Sequence, residues 1–136
     1  MEGVKTALTG SGAFAVTFVV SLVLLALFAA LYSAITSHHE MRLIRAGNKT
    51  AALSLGGAIV GFVIPVGKAV AQSVDMTDLL VWSAIAFVAQ LLAYGAAALL
   101  VPHLRKSIEG DHVPSGILLT ALSLAIGVLN AAAMSL

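Results

Sequence analysis

The sequence predicts an all-α membrane protein with four transmembrane helices. Of its 136 residues, 60% are hydrophobic and only 10% are charged, whereas a soluble domain is about 45–50% apolar and about 25% charged. Four stretches are long and apolar enough to cross the hydrocarbon core, which takes about 20 residues in a helix. These observations exclude an ordinary soluble enzyme, a disordered tail and a nucleic-acid binder.

The four predicted spans make up one transmembrane domain. The first, residues 12–34, has no charge and is longer than the 7–15-residue apolar core of a signal peptide. No convincing cleavage site follows it, so we interpret it as a retained helix. The second span, 50–73, has one charge, Lys68, and the spans 79–101 and 113–136 have none.

Positive charge is concentrated in two connections, residues 35–49 and 102–112, and basic residues in short loops mark the cytoplasmic side of a membrane. The sequence therefore predicts a membrane protein with cytoplasmic basic loops and with both termini on the outer side. The basic residues of the two loops are Arg42, Arg45, Lys49, Arg105 and Lys106.

The two halves of the chain follow the same plan, which is a long span, a basic loop and a Gly/Ala-rich span. Two helices per unit return the chain to its starting side, so the predicted repeat is tandem and parallel. Similarity of this strength also arises from shared membrane composition. The small residues that align after a two-residue slip are Ser54, Gly57 and Gly61 with Thr120, Ser123 and Gly127.

A set of motifs runs from about Tyr32 to the C-terminus. It comprises the runs 43–48 (LIRAGN), 51–53 (AAL), 56–57 (GG), Gly61, 64–65 (IP), Trp82, Gln90 and 127–132 (GVLNAA). These motifs and their spacing across both halves resemble the YjfL-type bacterial inner-membrane proteins, the family of domain of unknown function 350.

The resemblance implies a small multi-spanning protein of the bacterial inner membrane, built from paired helices. Members of the family are associated by gene neighbourhood with envelope-stress and ATP-grasp ligase systems, which implies protein partners in a stress system. The family supplies no activity, substrate or catalytic residue. The second basic loop departs from the pattern, because residues 112–115 (HVPS) stand where the first copy has Asn48. A second copy of any role that Asn48 has is therefore expected to be lost.

Glycines in the second and last spans predict helix packing. Gly57 and Gly61 form a GxxxG step, with Gly56 beside it and Gly127 in the last span. Small residues let helix backbones approach in lipid, where no hydrophobic force drives association. The partner helix lies either in the same chain or in another copy, and a homo-oligomer is expected.

Polar residues within the spans form a candidate intramembrane site. Pro65 leaves one helix carbonyl without a donor, and we expect the side-chain amide of Asn130 to cap it, with substrate binding as the alternative. Gln90, at the centre of its span, is expected to link helices or to line a polar pathway. Lys68 is expected to snorkel outward near Asp75 and Asp78, or to attract anions in a vestibule.

Four histidines lie in the predicted cytoplasmic loops near carboxylates, a chemistry that suits transition metals. Their spacing contains no HxxxH or HExxH pattern, so we predict no metal site and interpret them as interfacial polar side chains. No cofactor is expected. The histidines are His38, His39, His103 and His112.

The predicted function rests on what the spans lack and on what the resemblance implies. They contain no Asp or Glu for a proton relay, and the chain has neither a phosphate-binding loop nor a nucleophile with its base. These absences favour a non-enzymatic protein that resides in the lipid bilayer and binds no nucleic acid. The resemblance implies that it is an oligomer-forming component of an envelope or stress-response system, and this is the function we expect. The alternative is a small channel or transporter for ions or small solutes.

Overall fold

A computed structural model describes residues 2–36 and 40–135, and this part of the chain is helical without strands. Four of its helices are long and apolar enough to cross a membrane, which confirms the predicted fold class. Two short helices lie within the basic loops. The helices are α1 (Glu2–Thr36), α2 (Glu40–Arg45), α3 (Lys49–Gln72), α4 (Met76–Leu100), α5 (Leu104–Glu109) and α6 (Val113–Ala133).

The first helix begins at Glu2, well before the predicted span at residue 12. The side chains of Thr6 and Ser11 do not interrupt it, because they bond to the helix itself. The hydroxyl of Thr6 donates to the carbonyl of Glu2 at 3.0 Å, and that of Ser11 donates to the carbonyl of Ala7 at 2.7 Å. Such back-bonding satisfies a hydroxyl within its own helix.

The core of the bundle is formed by α3, α4 and α6. In the most apolar stretch of each helix, 56% of the residues are buried in α3, 28% in α4 and α6, and 6% in α1. Helices α3 and α6 run in the same direction in close contact, and α4 runs in the opposite direction against both. The helix α3 is therefore the centre of the fold.

The helix α1 packs on the side of this core through aromatic rings. Phe28 stacks on Phe62 of α3 with ring centres 4.2 Å apart, and Tyr32 meets Tyr94 of α4 edge-on at 6.3 Å. Toward the other end of α1, Thr17 lines a small pocket together with the α3–α4 connection. Residues 2–16 therefore extend past that connection, over about 22 Å at 1.5 Å per residue.

The turns before α3 and α6 have the same local geometry. The amide of Asn48 donates to the carbonyl five residues earlier at 2.9 Å, and the amide of His112 does so at 2.8 Å. The residue before each cap has a left-handed backbone, with φ 92° at Gly47 and 57° at Asp111. This is a likeness between two turns, and the tandem repeat of the whole halves stays a prediction.

Candidate functional site

Glycines bring the backbones of α3 and α6 together inside the bundle. A Cβ added to Gly57 would lie 2.8 Å from Thr120 Cα, and one added to Gly127 would lie 2.8 Å from Gly61 Cα. Real Cβ atoms essentially never approach within 3.0 Å of another heavy atom. Three of the four glycines expected to pack helices thus lie at a contact within one chain. The fourth, Gly56, faces away from it and has nothing within 4 Å of its Cβ position.

Gln90 links α4 to this contact near the middle of the bundle. Its side chain is fully buried, and Nε2 donates to the carbonyl of Ser123 on α6 at 3.1 Å. A Cβ at Gly61 of α3 would lie 2.6 Å from the same nitrogen. The amide oxygen of Gln90 and the hydroxyl of Ser123 are buried without a hydrogen-bond partner in residues 2–36 and 40–135. Gln90 therefore contacts both α3 and α6 but leaves one of its polar atoms unpaired.

The carbonyl freed by Pro65 is that of Gly61, four residues earlier in α3. It lies against Gly127, whose Cβ position it overlaps, so a Cα hydrogen of Gly127 points at the carbonyl oxygen. Contacts of this kind are worth about 0.5–1 kcal/mol. The predicted capping by Asn130 is wrong, because the side-chain nitrogen of Asn130 is buried without a partner among the described residues.

Lys68 reaches the end of α6 rather than an acidic partner. Its ammonium group donates to the hydroxyl of Ser135, just after the last turn of that helix. Asp75 caps α4 instead by accepting a hydrogen bond from the amide of Asp78 at 2.9 Å. Neither aspartate forms an ion pair with Lys68 within the part of the chain that the structure describes, so the expected counter-ions do not meet it.

Asn48 joins the two basic loops at the other end of the bundle. Its side-chain oxygen accepts a hydrogen bond from the amide of Ala51 at 2.8 Å and so caps α3. Its side-chain nitrogen donates to the carbonyls of Ile108 at 2.8 Å and Glu109 at 3.2 Å, at the end of α5. One amide therefore satisfies backbone groups at the termini of two helices from different halves of the chain.

Asp111 completes the same end of α3. One of its carboxylate oxygens accepts hydrogen bonds from the amide of Thr50 at 2.9 Å and from the hydroxyl of Thr50 at 2.8 Å. These bonds, the backbone one first, lower the pKa of the Asp111 carboxyl. By contrast, His112 caps α6 without a side-chain hydrogen bond. Helix α3 is thus capped by two side chains, whereas α6 lacks the equivalent of Asn48.

Sequence reasoning missed the burial of Glu40 in the first turn of α2. Its side chain is only 1% exposed and accepts hydrogen bonds from the hydroxyls of Ser33 at 2.5 Å and Thr36 at 3.4 Å. Burial raises the pKa of the Glu40 carboxyl, and the two hydroxyls partly offset that rise. A signal was present in the sequence, because Leu43 and Ile44 follow at helical spacing and place Glu40 on the apolar face of α2.

The two histidines that the structure describes do not form a common site. His38 and His39 lie outside the described residues. His103 and His112 are exposed and stand before α5 and α6 without side-chain capping bonds. Among residues 2–36 and 40–135, no group of three or more His, Cys, Asp or Glu side chains is arranged to hold a metal ion.

Comparison with known proteins places this architecture among relatives. A family model described as Domain of Unknown Function (DUF350) matches residues 6–134. The chain is 34% identical over 123 residues to the UPF0719 inner membrane protein YjfL of Escherichia coli (strain K12), which covers 90% of this chain and 93% of the relative. The protein of the same name from Escherichia coli O157:H7 matches with the same identity and coverage. No solved structure matches.

Proposed function

The chain belongs to the DUF350 family, as its motifs predict, and we propose that it is a non-enzymatic, oligomer-forming component of an envelope or stress-response system. The observation that carries this proposal is the use of the intramembrane polar groups. Gln90 donates to a backbone carbonyl of α6, and Thr120 donates to the carbonyl of Leu53 at 2.6 Å. Polar groups that are engaged in hydrogen bonds between helices support a packed scaffold rather than a lumen within one chain.

The surface that supports oligomer formation is the side of α1 that faces away from the bundle. Ala26, Ala30 and Ala34 follow one another at a spacing of four on this side, and all three are exposed. Small residues at this spacing allow helix backbones to approach closely in lipid. We therefore propose that α1 of one copy packs on α1 of another.

Cysteine cross-linking in native membranes tests this oligomer cleanly, because the chain has no cysteine of its own. We expect Ala30→Cys to form disulfide-linked dimers under mild oxidation. The matched control is Val88→Cys, at a position on α4 that is 54% exposed, and it should stay monomeric. A monomeric mass in mild detergent together with no Ala30 cross-link would contradict the proposal.

The envelope role is tested in a bacterium that lacks the gene. We expect greater sensitivity to membrane-perturbing agents, which the wild-type gene corrects. An oligomerisation-deficient Ala30→Leu variant, which places a larger side chain on the same exposed face, should correct it poorly. Full correction by a variant that no longer forms oligomers would separate the envelope role from self-association.

A channel or transporter is the second candidate, and one observation favours it. The amide oxygen of Gln90, the hydroxyl of Ser123 and the side-chain nitrogen of Asn130 are buried without partners among the described residues. Unpaired polar groups within a membrane are costly and attract water or ions. Flux of K⁺, Na⁺, Cl⁻ or divalent metals through proteoliposomes, altered by Gln90→Ala and Lys68→Ala, would support this candidate. A folded protein that gives no flux of these ions would support the scaffold function.

We also propose that the basic loops are cytoplasmic and that both termini lie outside the inner membrane. The charge asymmetry of the loops supports this orientation. An impermeant maleimide applied to intact spheroplasts should label Val74→Cys, which is at a position 93% exposed between α3 and α4. It should label Ala46→Cys in the first basic loop only after lysis, and the reverse pattern would invert the orientation.

A further inference from the structure

A groove of about 540 Å³ runs along the outer side of the paired helices α3 and α6. We call it the Gly56 groove. It begins at the basic-loop end of α3 and follows one face of that helix. Its lining residues are Lys49, Ala52, Leu53, Gly56, Gly57 and Val60 on α3, and Thr120 and Leu124 on α6.

Two neighbouring glycines make this groove open rather than filled. The Cβ position of Gly57 is closed by Thr120, whereas that of Gly56 has nothing within 4 Å. From Lys49 to Val60 the groove is about 16 Å long at 1.5 Å per residue, which is about half of the ~30 Å hydrocarbon core. Its length therefore matches the depth of a single membrane leaflet.

The mouth of the groove is positively charged. Lys49 is exposed there, and Arg42 and Arg45 are exposed on the short helix just before it. Asp111 carries a negative charge beside Lys49, with one carboxylate oxygen bonded to Thr50, and the three basic side chains outnumber it. Basic side chains at the membrane surface beside an apolar slot between helices favour an anionic lipid headgroup.

We propose that the Gly56 groove binds an anionic phospholipid, with one acyl chain along Gly56 and the phosphate on Lys49. A helix with its side chains is about 10–12 Å wide and does not enter a crease between two helices in backbone contact, whereas one acyl chain does. This lipid site is separate from the α1 surface, so it holds whether or not the proposed scaffold function is correct.

Lipid retention and thermal unfolding of the full-length protein in detergent test the proposal. The delipidated protein is given dioleoyl-phosphatidylglycerol, dioleoyl-phosphatidylcholine or free glycerol 3-phosphate, and the bound lipid is counted by native mass spectrometry. We expect retention of phosphatidylglycerol above phosphatidylcholine, a raised melting temperature with phosphatidylglycerol only, and no effect of glycerol 3-phosphate. Equal retention of the two lipids would overturn the proposal.

Matched variants locate the site. Gly56→Leu fills the groove and Lys49→Gln removes its charge, and each should reduce phosphatidylglycerol binding about fivefold. The controls are Gly67→Leu, at another open glycine beside a groove that no basic residue lines, and Lys106→Gln in the other basic loop; both should bind as the wild type does. Equal losses in test and control variants, or a change of oligomeric mass in Gly56→Leu with lipid binding intact, would refute the lipid site.

Discussion

The carbonyl oxygen of Gly61 lies directly against Gly127, at the place where Pro65 has removed the helical donor of that carbonyl. The two features depend on each other. A proline inside a membrane helix leaves an acceptor that lipid cannot satisfy, and a glycine on the adjacent helix lets a second backbone cover it. The pairing of α3 with α6 therefore requires that neither position carry a side chain.

A methyl group at Gly127 should destabilise the protein. Gly127→Ala places a Cβ against the backbone of Gly61, and overpacking of this kind costs about 1–3 kcal/mol, so we expect a lower melting temperature in detergent. Gly67→Ala is the matched control, because its Cβ meets nothing within 4 Å. The control should keep or slightly raise the melting temperature, since Ala is favoured over Gly in a helix by about 0.5–1 kcal/mol. Equal melting temperatures of the two variants would contradict the close contact between Gly127 and Gly61.

Two substitutions at Asn48 should separate its two roles. Asn48→Asp keeps an acceptor for the α3 amide but loses the donors to the α5 carbonyls, whereas Asn48→Ala loses both. We expect Asn48→Asp to lower the free energy of unfolding by about 0.5–1.5 kcal/mol, the usual contribution of a hydrogen bond. Asn48→Ala should lower it by about 1 kcal/mol more. Thermal unfolding measures the order, and wild-type stability of Asn48→Asp would show that the link to α5 contributes nothing.

Acid should weaken the contact between Asp111 and Thr50. The pKa of the Asp111 carboxyl is lowered in the folded protein, so its contribution to stability is present above the ordinary value of 3.8 and is lost as the pH falls through the lowered value. We expect Asp111→Asn, which keeps an oxygen acceptor for Thr50, to lose this part of the acid dependence. The measurement is the melting temperature of both proteins between neutral and acidic pH, and parallel curves would be the contrary result.

The contribution of the buried Glu40 to stability should change with pH in the direction opposite to that of Asp111. Because burial raises the pKa of its carboxyl in the folded protein above the ordinary value of 4.5, the contribution of Glu40 to stability is fully present below 4.5 and is lost as the pH rises through the raised value. Glu40→Gln should therefore melt above the wild type at pH 8 and show less advantage at pH 4. Ser33→Ala, which removes a donor to the carboxylate, should steepen the decline. A Glu40→Gln protein that melts below wild type at pH 8 would contradict this account.

The membrane helices were predictable because their signal is local. A long run without charge is enough to identify a span, and α3, α4 and α6 begin or end close to the predicted limits. The start of α1 at Glu2 was not predictable from apolarity, because Thr6 and Ser11 continue the helix through bonds to its own backbone. A run of apolar residues indicates the part of a helix that crosses the membrane. The full length of the helix also depends on polar residues that can continue it.

The contacts between the halves were not predictable, because no local pattern sets the register of two helices. Asn48 and the carbonyl of Ile108 are 60 residues apart in the chain, and they meet only because α3 and α6 pair in parallel at one particular offset. The same reason explains the error at Asn130. Counting residues placed Asn130 at a membrane depth suitable for capping the carbonyl that Pro65 frees. Depth alone does not decide which side chain faces that carbonyl.

The parallel course of α3 and α6 also has an electrostatic consequence. Each helix carries a macrodipole, equivalent to about half a positive charge at its N-terminus, and two such dipoles side by side with the same direction repel each other, most strongly in a medium of low dielectric constant. The antiparallel α4 touches both helices and opposes the two fields with its own. The closest pair in the bundle thus depends on α4 for charge balance as well as for packing.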